Sequence, residues 1–456
     1  MATRNVLAGF DAQALWTALD ALPGGATATD YRVACSGGLD STVLVAAMAE
    51  LRPRLGSAQL SAVHVDHGLH ADSSAWAEAA VHTCTGFGVP CRVVTVNAHP
   101  APGESPEAAA RQARYRALAR DLGPRDALLT AHHADDQLET VLLQLLRGAG
   151  VAGLAAMPAD APLGAGRHRR PLLGFTRAAL ETWARARGLV WMEDPANLEL
   201  RYSRSRLRHQ VLPALRAGWP AAAKAVARSA AHCAEAAAVL DELGRSDAAG
   251  CRDGNALRVA ALAGLPAARR RNAVRHEVRR AGLPMPDHRR LDALLDQMLT
   301  ARPEAAPVVR WPGAAGCRYR GRLWLVPGAW LDPPPAPLPW RDPTEPLSLG
   351  GGLGELAVEE TQDGGVLCAA LDVRPWRVAF RAGGERICLA GQAHRRPLKK
   401  ILNEAGIPPW FRSRMPLIEV GDSLAAVGDR WIAAEWWSPP GNKALRIAWR
   451  GAPVFS

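Results

Sequence analysis

A strand, a loop of small residues and a helix follow one another at residues 31–51, and this unit restricts the fold more than any other feature of the sequence. The run Tyr31-Arg32-Val33-Ala34-Cys35 has the composition of a buried strand, whereas Thr42 to Leu51 is apolar with helical spacing. Between them stands the loop Ser36-Gly37-Gly38-Leu39-Asp40-Ser41. Because backbone N–H groups converge at the N-terminus of a helix, such a unit is suited to binding an anion.

Strand-like and helix-like segments continue to alternate up to the middle of the chain. The pattern predicts strands at 32–35, 60–65, 91–96 and 127–130, and helices at 41–51, 73–86, 105–122, 132–147 and 176–187. Such alternation is typical of α/β folds, so we expect a doubly wound, mostly parallel sheet with helices on both faces. Ligands of such sheets bind at the carboxyl ends of the strands, which is where the loop lies.

The chain should contain more than one domain, because 456 residues are too many for a single core. We expect a catalytic domain at 1–216 and a mainly helical, Ala- and Arg-rich domain at 217–330 that ends in a hairpin. The Pro-rich tract LDPPPAPLPWRDPTEP predicts a linker and connecting segment at 331–376, since proline continues neither a helix nor an interior strand easily. A small α+β domain should occupy 377–456.

Composition narrows the class of partner and the compartment. The net charge of +11 favours a polyanion such as nucleic acid or an acidic membrane surface, although a genome bias towards Arg codons is an alternative explanation. The eight cysteines form no CxxC pair, which disfavours a zinc ribbon, an iron-sulfur site or a redox dithiol. The start MATRNVLAGF is too polar for a secretory signal, and no apolar stretch of about 18 residues is present. We therefore expect a cytoplasmic protein with reduced thiols and no membrane span.

The loop at 36–41 carries the groups needed to bind a phosphate beside a divalent cation. Gly37 and Gly38 let backbone N–H groups approach an anion, and the hydroxyls of Ser36 and Ser41 are further donors. A plain Gly-Gly turn with Ser41 as the helix cap is the simpler alternative. Asp40 makes that alternative less attractive, because a carboxylate beside a phosphate is unfavourable unless a cation such as Mg²⁺ lies between them.

The stretch AVHVDHGLH, at 62–70, places polar side chains at the end of the second predicted strand. His64 and Asp66 share one face of that strand, and His67 stands at its exit. These side chains could line a nucleotide pocket, form an ordinary polar turn or hold a metal.

A third polar cluster falls in the predicted helix at 132–147. At 100° per residue, His132, Asp136 and Glu139 lie within about 60° of one another, opposite an apolar face. A solvated polar face is the usual explanation of such a stripe, and a zinc site is a further alternative. The position after a predicted strand instead places the cluster beside the same crevice as the loop at 36–41.

With these motifs in this order, the chain resembles the tRNA(Ile)-lysidine synthases, members of the N-type ATP pyrophosphatases with a PP-loop, adenine nucleotide alpha hydrolase-like fold. The resemblance rests on SGGLDS, DDQLET, EDPAN and RLRH, together with PLKK and IPPWFR near the end. It covers about 31–216 and 377–435 and leaves the middle weakly matched. Ser205 departs from the family, which usually has Asn there, so we assign it no role.

The resemblance implies a reaction and its substrates. Family members use ATP, with Mg²⁺, and L-lysine to convert the wobble cytidine of a CAU-anticodon tRNA(Ile) to lysidine through an adenylated cytidine. AMP and pyrophosphate are released. A tRNA thiolase with the same loop is the main alternative, although such enzymes commonly rely on paired cysteines. A glutaminase-dependent amidotransferase and a non-enzymatic tRNA-binding protein are weaker alternatives, and a homodimer is left open.

The resemblance also suggests roles for individual residues. The loop would hold the pyrophosphate through Ser36, Gly37, Gly38, Leu39 and Ser41, and Asp40 would hold Mg²⁺. Asp136 would bind Mg²⁺ or act at the reacting centre, Glu139 would hold the lysine ammonium, and His132 would contact the nucleotide or handle a proton. Arg111 and Arg114 could offset charge on the α-phosphate, or be surface charges on an Arg-rich helix.

For the tRNA we expect contacts from a group of basic and aromatic side chains: Arg204, Arg208, Arg395, Arg396, Lys399, Lys400, Trp410 and Arg412. Trp410 follows two prolines and could equally be a core residue. The resemblance implies a substrate-binding role for the domain at 217–330 and tRNA recognition by the domain at 377–456, since in the family the C-terminal domain meets the acceptor end of the tRNA. The arginines at 269–280 are a second candidate surface, with a solvated helix as the alternative.

Overall fold

We describe the fold from a computed structural model of the chain, in which residues 9–66, 68, 73–97, 106–192, 203–302, 304–373 and 375–452 are described. The predicted His67 and the EDPAN motif lie outside these residues. The chain divides into two compact units, residues 1–239 and 240–456. Within the described residues, no helix is both long and apolar enough to cross a membrane.

The first unit contains a six-stranded sheet. Its strands are β1 Asp30–Ala34, β2 Gln59–Asp66, β3 Cys91–Thr95, β4 Ala127–Leu129, β5 Asp160–Leu163 and β6 Gly166–Arg169. They lie in the order β3-β2-β1-β4-β6-β5, and all neighbours are parallel except β5 and β6. The predicted doubly wound, mostly parallel sheet is thereby confirmed. Strand order reverses between β1 and β4, where a crevice for ligands is expected.

Helices cover this sheet, with bounds close to those that the sequence predicts. They are α1 Ala12–Asp20, α2 Leu39–Glu50, α3 Ser73–Gly86, α4 Pro106–Ala119, α5 Ala134–Leu146, α6 Val151–Leu154, α7 Arg177–Ala186, α8 Ser203–Arg206 and α9 Leu212–Gly218. Helix α2 is buried along most of its length, including Val43, Leu44 and Met48. This burial agrees with its sequence, which is apolar on all sides of the helix from residue 43 to residue 49. Its burial fixes the loop that precedes it. Helix α10, Ala222–Cys251, follows.

The second unit begins with a five-stranded antiparallel sheet in the order β7-β8-β11-β10-β9, so this region holds more strand than the one expected hairpin. Its strands are β7 Arg252–Asp253, β8 Ala256–Arg258, β9 Val308–Trp311, β10 Ala314–Tyr319 and β11 Arg322–Pro327. Its helices are α11 Val259–Ala263, α12 Ala267–Arg280 and α13 His288–Thr300. Leu291, Leu294 and Met298 of α13 are buried in its core.

Two more five-stranded antiparallel sheets complete this unit, in the orders β12-β16-β19-β20-β21 and β13-β14-β23-β15-β22. Their strands are β12 Leu338–Pro339, β13 Leu347–Ser348, β14 Glu355–Thr361, β15 Gly365–Leu367, β16 Trp376–Phe380, β19 Pro416–Val420, β20 Ser423–Val427, β21 Trp431–Ile432, β22 Trp437–Ser438 and β23 Ala444–Arg450. A small ladder joins β17 Arg386–Ile387 to β18 Arg396–Pro397, and the helices are α14 Leu398–Glu404 and α15 Pro409–Arg412.

The segment expected as a linker, 331–376, instead contributes strands to these sheets. Trp340 is 2% exposed and meets Trp376 edge to face, with 5.6 Å between ring centroids. Pro339 is accommodated because β12 is the edge strand of its sheet, where a missing N–H interrupts no ladder. Strands β14 and β15 both pair with the final strand β23. The fold of the C-terminal region therefore begins well before residue 377.

Candidate active site

The loop between β1 and α2 is held open by its own two serines. The Ser36 backbone N–H donates to Ser41 Oγ over 3.1 Å, and Ser41 Oγ donates to the carbonyl oxygen of Gly38 over 3.0 Å. Gly38 is the extended N-cap of α2 and receives no side-chain cap. The first N–H groups of α2 are therefore left for a ligand, as in an anion-binding loop.

Gly37 is a position where no other residue fits well. Its φ is +81°, and a Cβ built there would lie 2.6 Å from Met192 Cε. The Met192 N–H also donates to the Gly37 carbonyl oxygen over 3.0 Å, so that the chain near 192 closes over the loop. Gly38, by contrast, has a φ of −79° and only ordinary van der Waals neighbours.

Two carboxylates converge on one histidine at the start of α5. Asp40 Oδ2 and Asp136 Oδ2 each lie 3.5 Å from His133 Nε2. His133 is the N-cap of α5, since its Nδ1 accepts from the Asp136 N–H while Asp136 Oδ2 accepts from the His133 N–H. This reciprocal pair fixes both side chains beside the phosphate loop.

The charges around this histidine shift its titration and that of Asp40. Burial lowers the pKa of His133, but the hydrogen bond to Asp40 and the charge of Asp136 outweigh burial and raise it overall. Burial raises the pKa of Asp40, yet His133 and the more distant charges of Arg177 and Arg208 bring it below its usual value. Asp40 is therefore held as a carboxylate.

Asp40 and Asp136 suit a divalent cation such as Mg²⁺. Asp40 Oδ1 is buried and has no hydrogen-bond partner, although Arg177 Nε lies 4.0 Å away. A buried carboxylate oxygen without a donor is costly unless a ligand completes it. Mg²⁺ prefers oxygen ligands and is commonly held by one or two carboxylates together with substrate phosphates. The donor set therefore fits Mg²⁺ bound with a nucleotide.

Glu139 lies beneath this cluster with its carboxylate already occupied. It is 1% exposed, and Arg208 donates to both of its oxygens, over 2.8 and 3.0 Å. A longer contact of 3.5 Å joins Arg208 to Asp136. Arg208, expected as a tRNA contact, is thus bound to two of the three carboxylates of α5, Asp136 and Glu139. Arg204 donates to Thr140 of the same helix over 2.9 Å.

Arg114 is a cation in the cavity wall that forms no ion pair with the described carboxylates. Burial lowers the pKa of its guanidinium, and the charge of Arg111 lowers it further. Arg111 itself lies over the ring of Tyr115, 4.9 Å from the centroid. Because a partly buried cation that pairs with no described carboxylate favours an anionic ligand, Arg114 is a good contact for a phosphate.

These groups share one cavity of about 680 Å³ in the first unit. Among its lining residues are Ser36, Gly38, Asp40, Ser41, Trp76, Arg114, Thr130, His132, Asp136, Arg177, Trp191, Met192 and Arg208. The structure thereby brings together the predicted loop, His132, Asp136 and Arg114, and it places Glu139 behind the wall. The volume and the mixed aromatic and charged lining suit a nucleotide.

Three residues of this site were not predicted from the sequence. His133 holds the carboxylates, Arg177 lies beside Asp40, and Thr130 bonds His132. His133 could have been found from the spacing of a capping residue and an acidic residue three positions later, just before an apolar helix. Nothing in the local sequence marks Thr130 or Arg177.

His64 and Asp66 are structural. His64 is 7% exposed, and its Nδ1 bonds the Cys35 carbonyl oxygen over 2.9 Å. Asp66 accepts from the Gly68 N–H over 2.8 Å in a polar turn. His64 holds the residue that precedes the phosphate loop, Asp66 closes the turn after β2, and neither side chain lines the cavity.

The candidate tRNA residues of the second unit divide into buried and exposed groups. Trp410 is 8% exposed, and its ring packs edge to face on Tyr319. Arg412 is also buried and donates to Ile407 O, Tyr319 Oη and Asn403 Oδ1 over 2.7 to 3.0 Å. Both therefore belong to the core. Arg396 pairs with Glu404, whereas Arg395, Lys399 and Lys400 are exposed.

The arginines of α12 are mostly paired with carboxylates. Arg269 pairs with Asp247, Arg271 with Asp292 and Arg279 with Asp241. Arg270 instead donates to three backbone carbonyl oxygens, from 2.8 to 3.0 Å. For this segment, these contacts favour the alternative of a solvated helix whose arginines are mostly paired within the protein.

Comparison with known proteins finds three domain matches along the chain. A PP-loop domain matches residues 13–215, a TilS substrate binding domain matches 257–324, and a TilS substrate C-terminal domain matches 376–449. The tRNA(Ile)-lysidine synthase of Alkalilimnicola ehrlichii is 43% identical over 420 residues, covering 92% of this chain and 93% of its own. This chain belongs to the tRNA(Ile)-lysidine synthase family. The member from Pseudomonas aeruginosa is 42% identical over 444 residues, covering 93% of this chain and 97% of its own.

Family membership fits the cavity. The PP-loop domain contains the loop, both converging carboxylates and Arg114, and it identifies the chain as an enzyme that uses ATP. The regions at 257–324 and 376–449 match domains that are named for TilS. These two matches make the alternative of a thiolase weaker.

Proposed function

We propose that this protein joins L-lysine to C2 of the wobble cytidine of a CAU-anticodon tRNA(Ile), with ATP as the activating substrate. The observation that carries this proposal is the occurrence, in one chain, of a phosphate loop facing two carboxylates and of both family-specific domains. The relatives that match along more than nine-tenths of the chain carry the same activity in their names. The reaction would take place in the cytoplasm, where the eight free thiols stay reduced.

In the first half-reaction the cytidine O2 attacks the α-phosphorus of ATP, and pyrophosphate leaves. The N–H groups and serines of the loop would hold the leaving pyrophosphate, and Arg114 would face the α-phosphate. Asp40 and Asp136 would hold Mg²⁺, which neutralises phosphate charge when bound. The cavity wall orients these groups before the substrates meet, so little rearrangement is needed during reaction.

In the second half-reaction the ε-amine of lysine attacks C2, and AMP leaves. The amine must first lose a proton, because the ordinary pKa of lysine is about 10.4. Asp136 faces the cavity and could receive the ammonium directly. Glu139 could do so only if the ammonium replaced Arg208 at its carboxylate. We therefore propose that Arg208 and the substrate ammonium compete for the same acidic site.

Exposed cations would bind the tRNA, since contacts with phosphates supply most of the affinity for RNA. Arg395, Lys399 and Lys400 are exposed on the second unit. Arg204 and Arg208 would act closer to the reacting base, because their partners lie on α5.

The deciding experiment is incubation with ATP, labelled lysine and bulk tRNA, followed by nucleoside analysis. Label in a cytidine derivative supports the proposal. Its absence, with ATP-dependent transfer of sulfur to tRNA, would support the thiolase instead.

Asp136→Ala and Glu139→Ala separate chemistry from binding. Each should reduce lysine incorporation by about 100-fold or more, while tRNA affinity stays within about threefold. Gel-shift titration of the folded variants measures the affinity. Lost tRNA binding in a folded variant would contradict this division of roles.

A further inference from the structure

Three hydrogen bonds connect a buried arginine to the cavity through two histidines. Arg170 Nη2 lies 3.0 Å from His168 Nδ1, and His168 Nε2 lies 2.9 Å from Thr130 Oγ1. The same hydroxyl lies 2.8 Å from His132 Nδ1. Arg170, His168 and Thr130 are 8%, 3% and 2% exposed, so water does not replace these partners.

The arginine fixes the direction of every bond in this chain. A guanidinium can only donate, so His168 Nδ1 must accept, and the proton of a neutral His168 is on Nε2. His168 Nε2–H then donates to Thr130 Oγ1. The threonine hydroxyl has one proton and no other acceptor among the described residues, so it donates to His132 Nδ1. A neutral His132 consequently carries its proton on Nε2.

Both histidines are neutral in this surrounding. Burial lowers the pKa of His168 to about 3, and the charges of Arg170, Arg111 and Arg114 contribute. Burial also lowers the pKa of His132 well below its usual value, again with help from Arg170 and Arg114. A proton added to either ring would lie among fixed positive charges.

The second ring nitrogen of His132, Nε2, is not bound by the threonine. The side chain lines the cavity with Arg114 and Thr130, and Nε2 has no hydrogen-bond partner in the part of the chain that the structure describes. Because the neighbouring charges are positive, the group that meets this N–H should be an anionic oxygen.

We propose that Arg170, His168 and Thr130 are positioning residues that hold His132 in its Nε2–H form, as a neutral hydrogen-bond donor to a phosphate oxygen of the nucleotide. His132 then takes no proton from the substrate, and the base that deprotonates lysine is another group. This inference rests on the proposed function for the identity of the nucleotide, but the tautomer itself does not depend on it.

The tautomer can be measured by NMR with ¹⁵N-labelled histidine, and His132→Gln assigns the signals. The wild-type protein should show His132 with a protonated Nε2 and an unprotonated Nδ1. Protonation on Nδ1, or an imidazolium at neutral pH, would overturn the proposal. This measurement needs neither lysine nor tRNA, so it stands even if lysidine is not the product.

Thr130→Val removes the hydroxyl and should let His132 populate both tautomers. We expect kcat to fall about tenfold or more, with the KM for ATP changed less than about twofold, because the donor acts mainly on developing charge. Thr130→Ser keeps the hydroxyl and should restore both the wild-type tautomer and kcat. An unchanged tautomer ratio in folded Thr130→Val, or a failure of Thr130→Ser to restore it, would contradict the positioning role.

Discussion

The cavity of the first unit and the basic strip, residues 393–414, both contain several charged residues, but these charges have different partners in the structure. In the cavity, Asp40 keeps a buried oxygen without a partner, and Arg114 pairs with no described carboxylate. In the strip, Arg412 and Arg414 donate hydrogen bonds to oxygen atoms of the protein itself. Asp40 and Arg114 are thus left for a ligand, whereas Arg412 and Arg414 are satisfied by the protein itself.

This difference separates a ligand site from a structural network. Buried polar groups are normally paired, since leaving one unpaired costs about 1–3 kcal/mol. An unpaired group that persists at a cavity wall is therefore a better indicator of ligand binding than a high density of charge. By this criterion the cavity is a site, and within the strip only the exposed cations Arg395, Lys399 and Lys400 are available to RNA.

The largest effect should come from Asp40→Asn. The amide keeps the shape of the side chain but removes the charge that faces the phosphate loop and completes the carboxylate pair on His133. We expect ATP-dependent pyrophosphate release to fall by about 1,000-fold, because electrostatic stabilisation is usually the largest catalytic contribution. Release of labelled pyrophosphate in the presence of tRNA measures it.

Asp121→Asn is the matched control. Asp121 is an exposed carboxylate of the same unit that pairs with Arg92 over 2.7 Å and lies outside the cavity. Its activity should stay within about twofold of the wild type, as for most exposed ion pairs. Equal losses in both variants would show that general charge, and not the site, controls the rate.

The sequence predicts the cavity of the first unit well, because the residues that form the phosphate loop are close together along the chain. The loop, the strand before it and the helix after it are contiguous, and the observed β1 and α2 begin within two residues of expectation. The wall of the cavity also follows from the rule that ligands lie at strand ends. The capping role of His133 depends on a contact with the residue three positions later, so a local sequence pattern is enough to predict it.

The partners of the other charged side chains are distant along the chain and cannot be predicted in this way. Arg412 bonds Tyr319, and Glu139 is held by Arg208, contacts that no local pattern encodes. Sequence separation also hides the pairing of β12 with β16, so the Pro-rich tract looks like a linker. Whether a charge faces solvent, a ligand or a buried carbonyl is decided by the tertiary fold.

Arg412→Ala should destabilise the second unit. One buried and two partly buried acceptors lose their donor, which should lower the free energy of unfolding by about 2–4 kcal/mol. Urea unfolding measures the change. Arg395→Ala is the control, since Arg395 is exposed and lies 4.0 Å from Glu435; its effect should stay below about 0.5 kcal/mol. Similar stability of the two variants would refute a structural role for Arg412.

Replacing Lys399 and Lys400 by alanine should give a smaller effect, on binding alone. Both are exposed, so stability should not change, but tRNA affinity at low salt should fall about tenfold. The slope of log affinity against log salt should become shallower by about 0.7 to 0.9 per lost phosphate contact. Lys443→Ala is the control, because Lys443 is an exposed lysine that pairs with Glu360. An unchanged slope in the double variant would remove α14 from the tRNA interface.

The smallest effect should be the acid sensitivity that His168 confers. Its pKa is about 3 in the folded protein, against about 6.5 in an unfolded chain, so between these values the unfolded state binds a proton that the folded state does not. Stability therefore falls as the pH drops below about 6.5, by at most about 1.4 kcal/mol per pH unit. His168→Gln keeps a donor and an acceptor but cannot titrate, so its urea midpoint should decline less between about pH 7 and pH 5.5 than that of the wild type. Arg412→Ala leaves His168 in place, so it should lower the midpoint equally at both pH values. The two variants would thus separate the titration of a buried histidine in the first unit from a loss of hydrogen bonds in the second. A parallel shift in His168→Gln would show that its neutral state in the fold contributes nothing to acid sensitivity.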